Sequence, residues 1–588
     1  MLNFWCYFPV ERPFFTEIDV EGFRSVEWLL SELHSQLVAQ RYDVELMDPA
    51  LYKTDMGMQP TEGRTARILQ WLRTQSEADE LDVTQPLRVL FTDGTSHKIV
   101  VANAEVKDIL DYADDPEVWP RIRIRKDLGR RISKLSDNPS PSSIVGSAAT
   151  LKNFLNADGH PVCIDHVPAT MFSPLLAALQ RRLLDLEHVD VTPQDIIYAS
   201  SFLGATVQFY DDEAQRRTAI KPQVDNLMGT AGIWATKLEW LNNIEPDAIW
   251  WQEQGKFATG ILELKNVHGV SGDPFVQSLA DYSKIVANSR LAPFQGSYNF
   301  PVLLIGLSGN RLEIGAAVCV GSIYASRFVS FDITAGMHLS DNIVRVARTF
   351  KCLSLCRTAL EEYYLGIIGD RTATAAIYPN PTSASGDAMP SLNHGFLSPG
   401  GDQLLDALQS QDWAIRTTSL YRATLESGGD KTEVVVKFTS RYNEAAHRLL
   451  SDAQLAPKLD WCGQIIGDLS MVVMEYLEDG VLLWRICKDP SKRKRVPGMV
   501  LEDVKRALDL LHLNGLVFGD LRDANVVWSK DRAFLVDFDW VGKEGVDLYP
   551  ASINVSKSLK RHPEVCAYGV MRTIHDDFQL ELLERLLG

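Results

Sequence analysis

Apolar and polar positions change period several times along this chain, and each change marks a boundary. Residues 2–8 and 14–20 carry the short apolar runs of strands, joined by a turn at Glu11-Arg12-Pro13. From Val26 to Val38 the apolar residues fall at 26, 29, 30, 33, 37 and 38, which is the stripe of a helix. Short strand patterns return at 44–47, 87–90 and 97–101.

A ββ-helix-ββ order within residues 1–104 predicts a β-grasp, ubiquitin-like head. Residues 105–190 are mixed: helical patterns at 121–134 and 171–186 flank the turn-rich run Asn138-Pro139-Ser140-Pro141-Ser142-Ser143. We read this region as a helical linker or support. A second break, 367–410, collects Thr, Ala, Ser, Pro, Asn and Gly, including Tyr378-Pro379-Asn380-Pro381. The breaks leave a middle domain at 191–366 and a tail domain at 411–588. The expected fold class is multidomain α+β, and no internal repeat is visible.

In the middle domain a strand begins near Ile244-Glu245-Pro246-Asp247, and a turn at Gln254-Gly255-Lys256 leads to Ala258-Thr259-Gly260-Ile261-Leu262-Glu263-Leu264-Lys265. Glu263 and Lys265 share one face of that strand, because side chains alternate. If the hairpin pairs, Asp247 meets them. Two carboxylates there can bind one or two divalent metals, and the lysine can orient an attacking water or stabilise the phosphorane. The polar pair sits in an otherwise apolar strand, where burying it needs a reason. The bland alternative is an exposed hairpin with a Glu-Lys pair on its solvent face. Fifteen residues separate Asp247 from Glu263, and this Pro-Asp … Glu-x-Lys arrangement resembles the PD-(D/E)-x-K nuclease superfamily. The resemblance implies a restriction-endonuclease-like α/β domain. It adds Gln277 and Tyr282 on a helix at 273–288, and Glu213 as an acid on a first helix at about 210–219. Pro222 argues against a longer helix there.

The tail carries Gly519-Asp520-Leu521-Arg522-Asp523-Ala524-Asn525, then Leu535-Val536-Asp537-Phe538-Asp539. An Asp, an Asn five positions on and an Asp twelve further is phosphoryl-transfer spacing: Asp520 positions a hydroxyl, while Asn525 and Asp537 hold Mg²⁺. Upstream, Glu433-Val434-Val435-Val436-Lys437 is a strand ending in a phosphate-binding lysine. The next helix offers Glu444 as its ion-pair partner, and Met474-Glu475-Tyr476 reads as a hinge bordering adenine. The order is that of a protein kinase, with pieces changed. Phe518-Gly519-Asp520 stands for His-Arg-Asp, and Asp537-Phe538-Asp539 stands for Asp-Phe-Gly. No glycine-rich loop is visible before Lys437, and 51 residues follow Asp537, which predicts a truncated second lobe. A pseudokinase that binds nucleotide without transferring it is the bland reading.

Composition trims the options. At 588 residues, 45% hydrophobic and 23% charged, the chain is ordinary globular material, enough for several cores. A net charge of −18 excludes a protein that coats nucleic acid over its whole surface, while leaving room for a local basic channel. Lys284 and Arg290 are candidates to touch phosphate backbone, with a solvated helix face as the alternative. Ser491-Lys492-Arg493-Lys494-Arg495 is either a nuclear-import signal or a solvated loop. The eight cysteines form no CxxC pair, and Cys352 and Cys356, at helical spacing, read as buried thiols. No apolar run approaches the ~20 residues of a spanning helix, and the N-terminus lacks the features of a conventional secretion signal.

Taken together, the parts resemble the Crinkler effectors of fungi and oomycetes. The head is similar to their ubiquitin-like header in Leu2-Asn3-Phe4-Trp5-Cys6, Phe14-Phe15-Thr16-Glu17-Ile18-Asp19-Val20, Ala50-Leu51-Tyr52-Lys53-Thr54 and Lys98-Ile99-Val100-Val101. A PD … ExK nuclease followed by a kinase-like tail is a pairing of that family. At the usual translocation motif the chain has Asp43-Val44-Glu45-Leu46-Met47 instead. The resemblance implies a virulence effector that reaches a host nucleus after non-conventional secretion and there cleaves double-stranded DNA with low specificity. Catalysis would use Mg²⁺ or Mn²⁺ with Asp247, Glu263, Lys265, Glu213 and Gln277. ATP would sit at Lys437, Glu444, Glu475 and Tyr476, with Asp520, Asn525 and Asp537 beside it. The kinase-like domain would regulate the nuclease or phosphorylate a partner, and the head could hold a host protein. The alternatives are an atypical kinase whose nuclease-like domain only binds DNA, and a non-catalytic effector that binds a host protein.

Overall fold

The computed structural model describes residues 128–155, 162–164, 167–238, 244–252, 255–267, 272–367, 378–396, 420–427, 429–488, 498–551, 553 and 560–587. In the head it describes 2–7, 14–18, 25–39, 50–54, 64–72, 74–75, 79, 81–82, 87–91 and 96–102. The chain is a mixed α+β protein with several sheets, and it divides into two compact units, Met1–Lys126 and Asp127–Gly588. Among the described residues no helix is long and apolar enough to cross a membrane.

In the first unit, strands β1 (Leu2–Tyr7), β2 (Phe14–Ile18), β3 (Ala50–Lys53) and β4 (Ser96–Ala102) form one sheet in the order β2-β1-β4-β3. The central pair β1–β4 is parallel and the outer pairs are antiparallel. Alternation along β1 turns Leu2, Phe4 and Cys6 inward, where helix α1 (Val26–Ala39) meets them with Val26, Leu29 and Leu33. Residues 87–90, expected as a strand, are instead a helical turn. The Phe91 N–H donates to Leu87 O at 2.9 Å, and both side chains enter the core. A four-residue apolar run carries too little period to separate the two states. The run at 44–47 and the basic run at 491–496 lie outside the described residues.

The second unit is built first on a seven-stranded sheet. Its strands are β5 (Val162–Ile164), β6 (Ile233–Trp234), β7 (Ala248–Trp251), β8 (Ala258–Lys265), β9 (Val302–Ser308), β10 (Arg311–Val320) and β11 (Ser322–Asp332). They run in the order β5-β11-β10-β9-β8-β7-β6. The region read from sequence as a support thus contributes an edge strand, β5, paired in parallel with β11. Strands β8 and β9 are also parallel and every residue of both is buried. Helix α2 (Glu213–Met228) runs straight through Pro222, contrary to expectation. Its ends are held by Asp212, which accepts from the Gln215 N–H, and by Gly229 at φ 73°. Burial of Ile220, Val224, Leu227 and Met228 outweighs one lost backbone bond. Helices α3 (Pro274–Val286) and α4 (Leu339–Ile367) also belong to this part.

A five-stranded antiparallel sheet follows, made of β12 (Ser391–Phe396), β13 (Leu420–Ser427), β14 (Asp430–Thr439), β15 (Leu459–Ile465) and β16 (Leu469–Glu475) in the order β12-β13-β14-β16-β15. Helix α5 (Glu444–Asp452) joins β14 to β15. Beyond it come α6 (Gly498–Leu513), the hairpin β17 (Val526–Ser529) and β18 (Arg532–Leu535), and α7 (Thr573–Leu587).

The segment read as a linker is partly ordered structure. Its residues 391–396 are the first strand of the sheet. Residues 380–384 lie along the exposed edge of β15: the Ile466 N–H donates to Thr382 O, and the Ala384 N–H to Gln464 O, both at 2.9 Å. Asn380 N–H donates to Met171 O and Thr170 Oγ1 to Ile466 O, so the strap also ties this edge to the seven-stranded part. Unpaired edge amides recruit a polar segment that composition alone leaves free.

Candidate functional site

Two centres emerge. The first lies at the ends of β7 and β8. Ala248 pairs with Leu262, so Asp247 and Glu263 stand opposite one another one step further along. The Asp247 N–H donates to Glu263 Oε1 at 3.2 Å, and the Leu264 N–H to Asp247 Oδ2 at 2.8 Å. Lys265 follows on the same face, and its Nζ lies 3.5 Å from Glu213 Oε2 at the start of α2. Gln277, from α3, donates its Nε2 to Glu263 Oε2 at 2.6 Å. The five residues expected in this centre are brought together from two strands and two helices.

Three contributors were missed. Arg217, one turn after Glu213, donates to Asp247 Oδ1 at 2.5 Å. Asp281, one turn after Gln277, brings a third buried carboxylate within hydrogen-bonding reach of Glu263. Helical i,i+4 spacing from a suspected residue was the signal available for both. Gly306 pairs with Glu263 across the parallel strands, and a Cβ there would stand 3.0 Å from the Phe275 nitrogen. Its bare backbone lets the start of α3 approach the acid.

Tyr282, by contrast, is structural: its hydroxyl is buried and donates to Phe300 O at 2.6 Å. Lys284 is buried too, donating to the carbonyls of Ser136 and Asn138, so it is no backbone-phosphate contact. Desolvation rules the electrostatics of the centre. Burial, reinforced by Asp281 and Asp247, drives the Glu263 carboxyl well above its ordinary range, and burial lifts Asp281 to about 7. Glu213 and Arg217, with side chains 38% and 26% exposed, mark the side open to solvent. Carboxylates this close, with nearby cations, suit divalent-metal binding beside an anionic substrate.

The second centre spans β14, the loop after α6 and the turn after β18. Lys437 Nζ lies 2.7 Å from Asp537 Oδ1 and 2.6 Å from Asp539 Oδ1. Its expected partner was Glu444. That carboxylate instead holds Arg448 one helical turn on, at 2.8 Å. Glu444 is the first residue of α5, where the nearer cation lies along its own helix. Asp537 adopts φ 73°, ψ 72°, a left-handed turn that an Asp tolerates better than most residues. Phe538 beside it stacks on His447 at 4.5 Å between ring centroids and meets Phe518 edge-on.

Asp520 accepts from Asn525 Nδ2 at 3.0 Å and from Arg561 at 2.8 Å, with the Arg522 Nε 3.2 Å away. Burial raises its carboxyl in spite of both arginines. The loop is anchored by Asp576, which accepts from the Phe518 and Gly519 N–H groups at 2.7 and 2.8 Å and faces His512 Nε2 at 3.0 Å.

Glu475 and Tyr476 close β16. The Tyr476 N–H donates to Glu433 O, and Glu475 Oε2 accepts from the Lys458 N–H. The Tyr476 amide is therefore committed to the protein and not free for an adenine. The missing glycine loop also changes position. With β12 as first strand, the connection before β13 is 397–419, including Gly400 and Gly401, and it lies outside the described residues.

Elsewhere, His562, Glu564 and His575 form the one described group of three such side chains with ligand atoms within 4.8 Å. His575 Nδ1 accepts from the Arg572 N–H at 3.3 Å, which leaves the hydrogen on Nε2 and disfavours a metal there. The described cysteines are unpaired in disulfides, and burial raises the Cys352 and Cys356 thiols to about 11 and 12. Neither a protein-family model nor a curated protein matches this sequence.

Proposed function

We propose that the protein is a Crinkler-like effector acting in the nucleus as a Mg²⁺-dependent DNA endonuclease, with a kinase-like domain that binds ATP and regulates or assists it. The observation that carries the reading is the convergence of Glu213, Asp247, Glu263, Lys265 and Gln277 at one sheet end, open to solvent past Glu213 and Arg217. The donor set fits Mg²⁺ or Mn²⁺: all-oxygen carboxylates, plus a buried Asp281 Oδ2 and a buried Gln277 Oε1 that have no hydrogen-bond partner. Asp247 and Glu263 would hold the metal, which when bound polarises the phosphodiester and acidifies water. Gln277 fixes the rotamer of Glu263. Glu213 keeps Lys265 extended toward the opening, where its ammonium meets the charge that develops on the phosphate. Arg217 adds a cation at the mouth for the incoming backbone.

Plasmid nicking by the purified protein tests this. Wild type should nick with Mg²⁺ or Mn²⁺, and Asp247→Ala and Lys265→Ala should each lose on the order of 10²-fold or more. A wild type inactive with both metals sinks the reading.

The rival of an atypical kinase draws on the second centre. Lys437 sits on the third strand of its sheet and meets Asp537, whose charge reaches Asp520 of the hydrogen-bonded Asp520–Asn525 pair. It wins if Glu263→Ala leaves the effect of the protein on host cells intact while Asp520→Ala abolishes it. A non-catalytic effector holding a host protein through its ubiquitin-like head would survive both substitutions.

A further inference from the structure

We propose that Phe209 is a base-stacking residue at the mouth of the first centre, and that the substrate it takes is DNA with unpaired bases. The inference rests on the DNA-endonuclease reading and adds to it the form of the substrate.

Residues 207–212 join the helix Pro193–Thr206 to α2. Within them Phe209 is 103% exposed, the highest value for a large apolar side chain among the described residues. A phenyl ring left wholly in water is unfavourable, and here the backbone around it is held on both sides. The Val207 N–H donates to Leu203 O at 3.2 Å, and the Tyr210 hydroxyl to Ala205 O at 2.7 Å. Asp212 then caps α2 by accepting from the Gln215 N–H at 2.8 Å. The ring therefore points outward from an anchored segment.

That segment borders the candidate site. Asn266, the residue after Lys265, donates its Nδ2 to Tyr210 O at 3.5 Å. Arg216, whose guanidinium lies 6.0 Å from the Tyr210 ring centroid, donates to Gly309 O, and the Gly309 N–H donates to Lys265 O at 2.9 Å. Phe209 thus stands one residue from a carbonyl bonded beside Lys265 and four residues before Glu213, on the side open to solvent. Val267, which follows Asn266, is exposed as well.

Charge selects what covers the ring. Asp211 and Asp212 are exposed and repel a phosphate directly over the segment, whereas Arg217 and Lys265 lie beside the acids of the centre. A strand whose phosphates follow those two cations presents bases, not phosphates, to Phe209. Stacking needs an open base face. A single strand offers one at every nucleotide, while the duplex implied by the family resemblance keeps its base faces stacked on one another.

The test is binding of the full-length protein to a fluorescein-labelled single-stranded oligonucleotide and to the same sequence as a duplex, by anisotropy with Ca²⁺ in place of Mg²⁺. A second single strand carries 2-aminopurine, whose fluorescence falls on stacking. Wild type should bind the single strand more tightly than the duplex and quench the probe. Phe209→Ala should weaken single-strand binding about tenfold, leave duplex binding within about twofold and lose the quenching, and Phe209→Trp should restore both. Met337 is the control: it is 102% exposed, but it follows β11, three strands from β8. Met337→Ala should leave both affinities within about twofold. The inference is overturned if Phe209→Ala weakens both forms equally or neither, if Met337→Ala costs as much, or if wild type binds no single strand. A Phe209→Ala chain that loses self-association in sedimentation assigns the ring to a contact between copies and also overturns it. Negative supercoiling helps to open unpaired stretches, so plasmid nicking still reports on the nuclease. A wild type with Phe209-dependent stacking that nicks with neither metal sinks the nuclease reading and leaves the stacking site standing. Nicking by wild type, with single-strand binding unchanged in Phe209→Ala, sinks the stacking site alone.

Discussion

The ammonium of Lys437 lies 2.6 Å from a carboxylate oxygen of Asp539, the last residue of the Asp537-Phe538-Asp539 turn. Asp539 also accepts from Thr439 Oγ1 at 2.8 Å, so it is held from the same strand that carries the lysine. The residue that replaces the usual glycine thus supplies the carboxylate that Glu444 was expected to bring.

If Lys437 holds nucleotide phosphates, Asp539 is what keeps it extended in the absence of a helix glutamate. Asp539→Asn should weaken ATP–Mg²⁺ binding about tenfold, roughly 1.4 kcal/mol. Glu444→Gln should stay within about twofold, as expected for an exposed pair with Arg448. Titration calorimetry of the two variants checks this, and equal losses would return the pairing role to Glu444.

Gly519 accounts for the missing arginine before Asp520. It sits at φ 81°, and a Cβ there would stand 2.5 Å from Met571 Cε and 3.2 Å from the Trp540 carbonyl. Restoring the common motif with Gly519→Arg should therefore destabilise the tail domain by about 2 kcal/mol or more. Denaturant unfolding followed by tryptophan fluorescence reads this as an earlier transition. An unchanged midpoint would show that Met571 and the loop move aside freely.

His447 gives the tail domain a pH dependence. It is fully buried, with Nε2 on the Pro457 carbonyl and Nδ1 on the Tyr442 hydroxyl at 2.6 Å. Burial lowers its pKa to about 4 from an ordinary value of 6.5. Between those values the unfolded chain binds a proton that the folded chain refuses. Stability is therefore full above pH 6.5 and falls as the pH drops toward 4, by about 3 kcal/mol from this group. Unfolding midpoints between pH 7 and 4 should show that slope, and His447→Gln should flatten it. The same slope in the variant would assign it to other groups.

The placement of the candidate residues was legible where a local period or a short motif carries it. The alternation of β8 placed Glu263 and Lys265 on one face, and the spacing of Asp520, Asn525 and Asp537 survived into a single loop and turn. What failed to be legible depended on partners distant in sequence. Leu87–Leu90 became helical because of the core it enters, and α2 crosses Pro222 because its buried face is worth more than one hydrogen bond. The strap at 380–384 looked like a linker until the edge of β15 was there to bind it.

By itself, then, the sequence determined which residues could do chemistry and in what order the elements arise, since propensity and period act over a few residues. Tertiary structure alone decided the pairings: Lys437 with Asp539, Arg217 with Asp247, and Asp281 with Glu263. A charge chooses its partner by distance and burial, and neither is written in the spacing along one strand or helix.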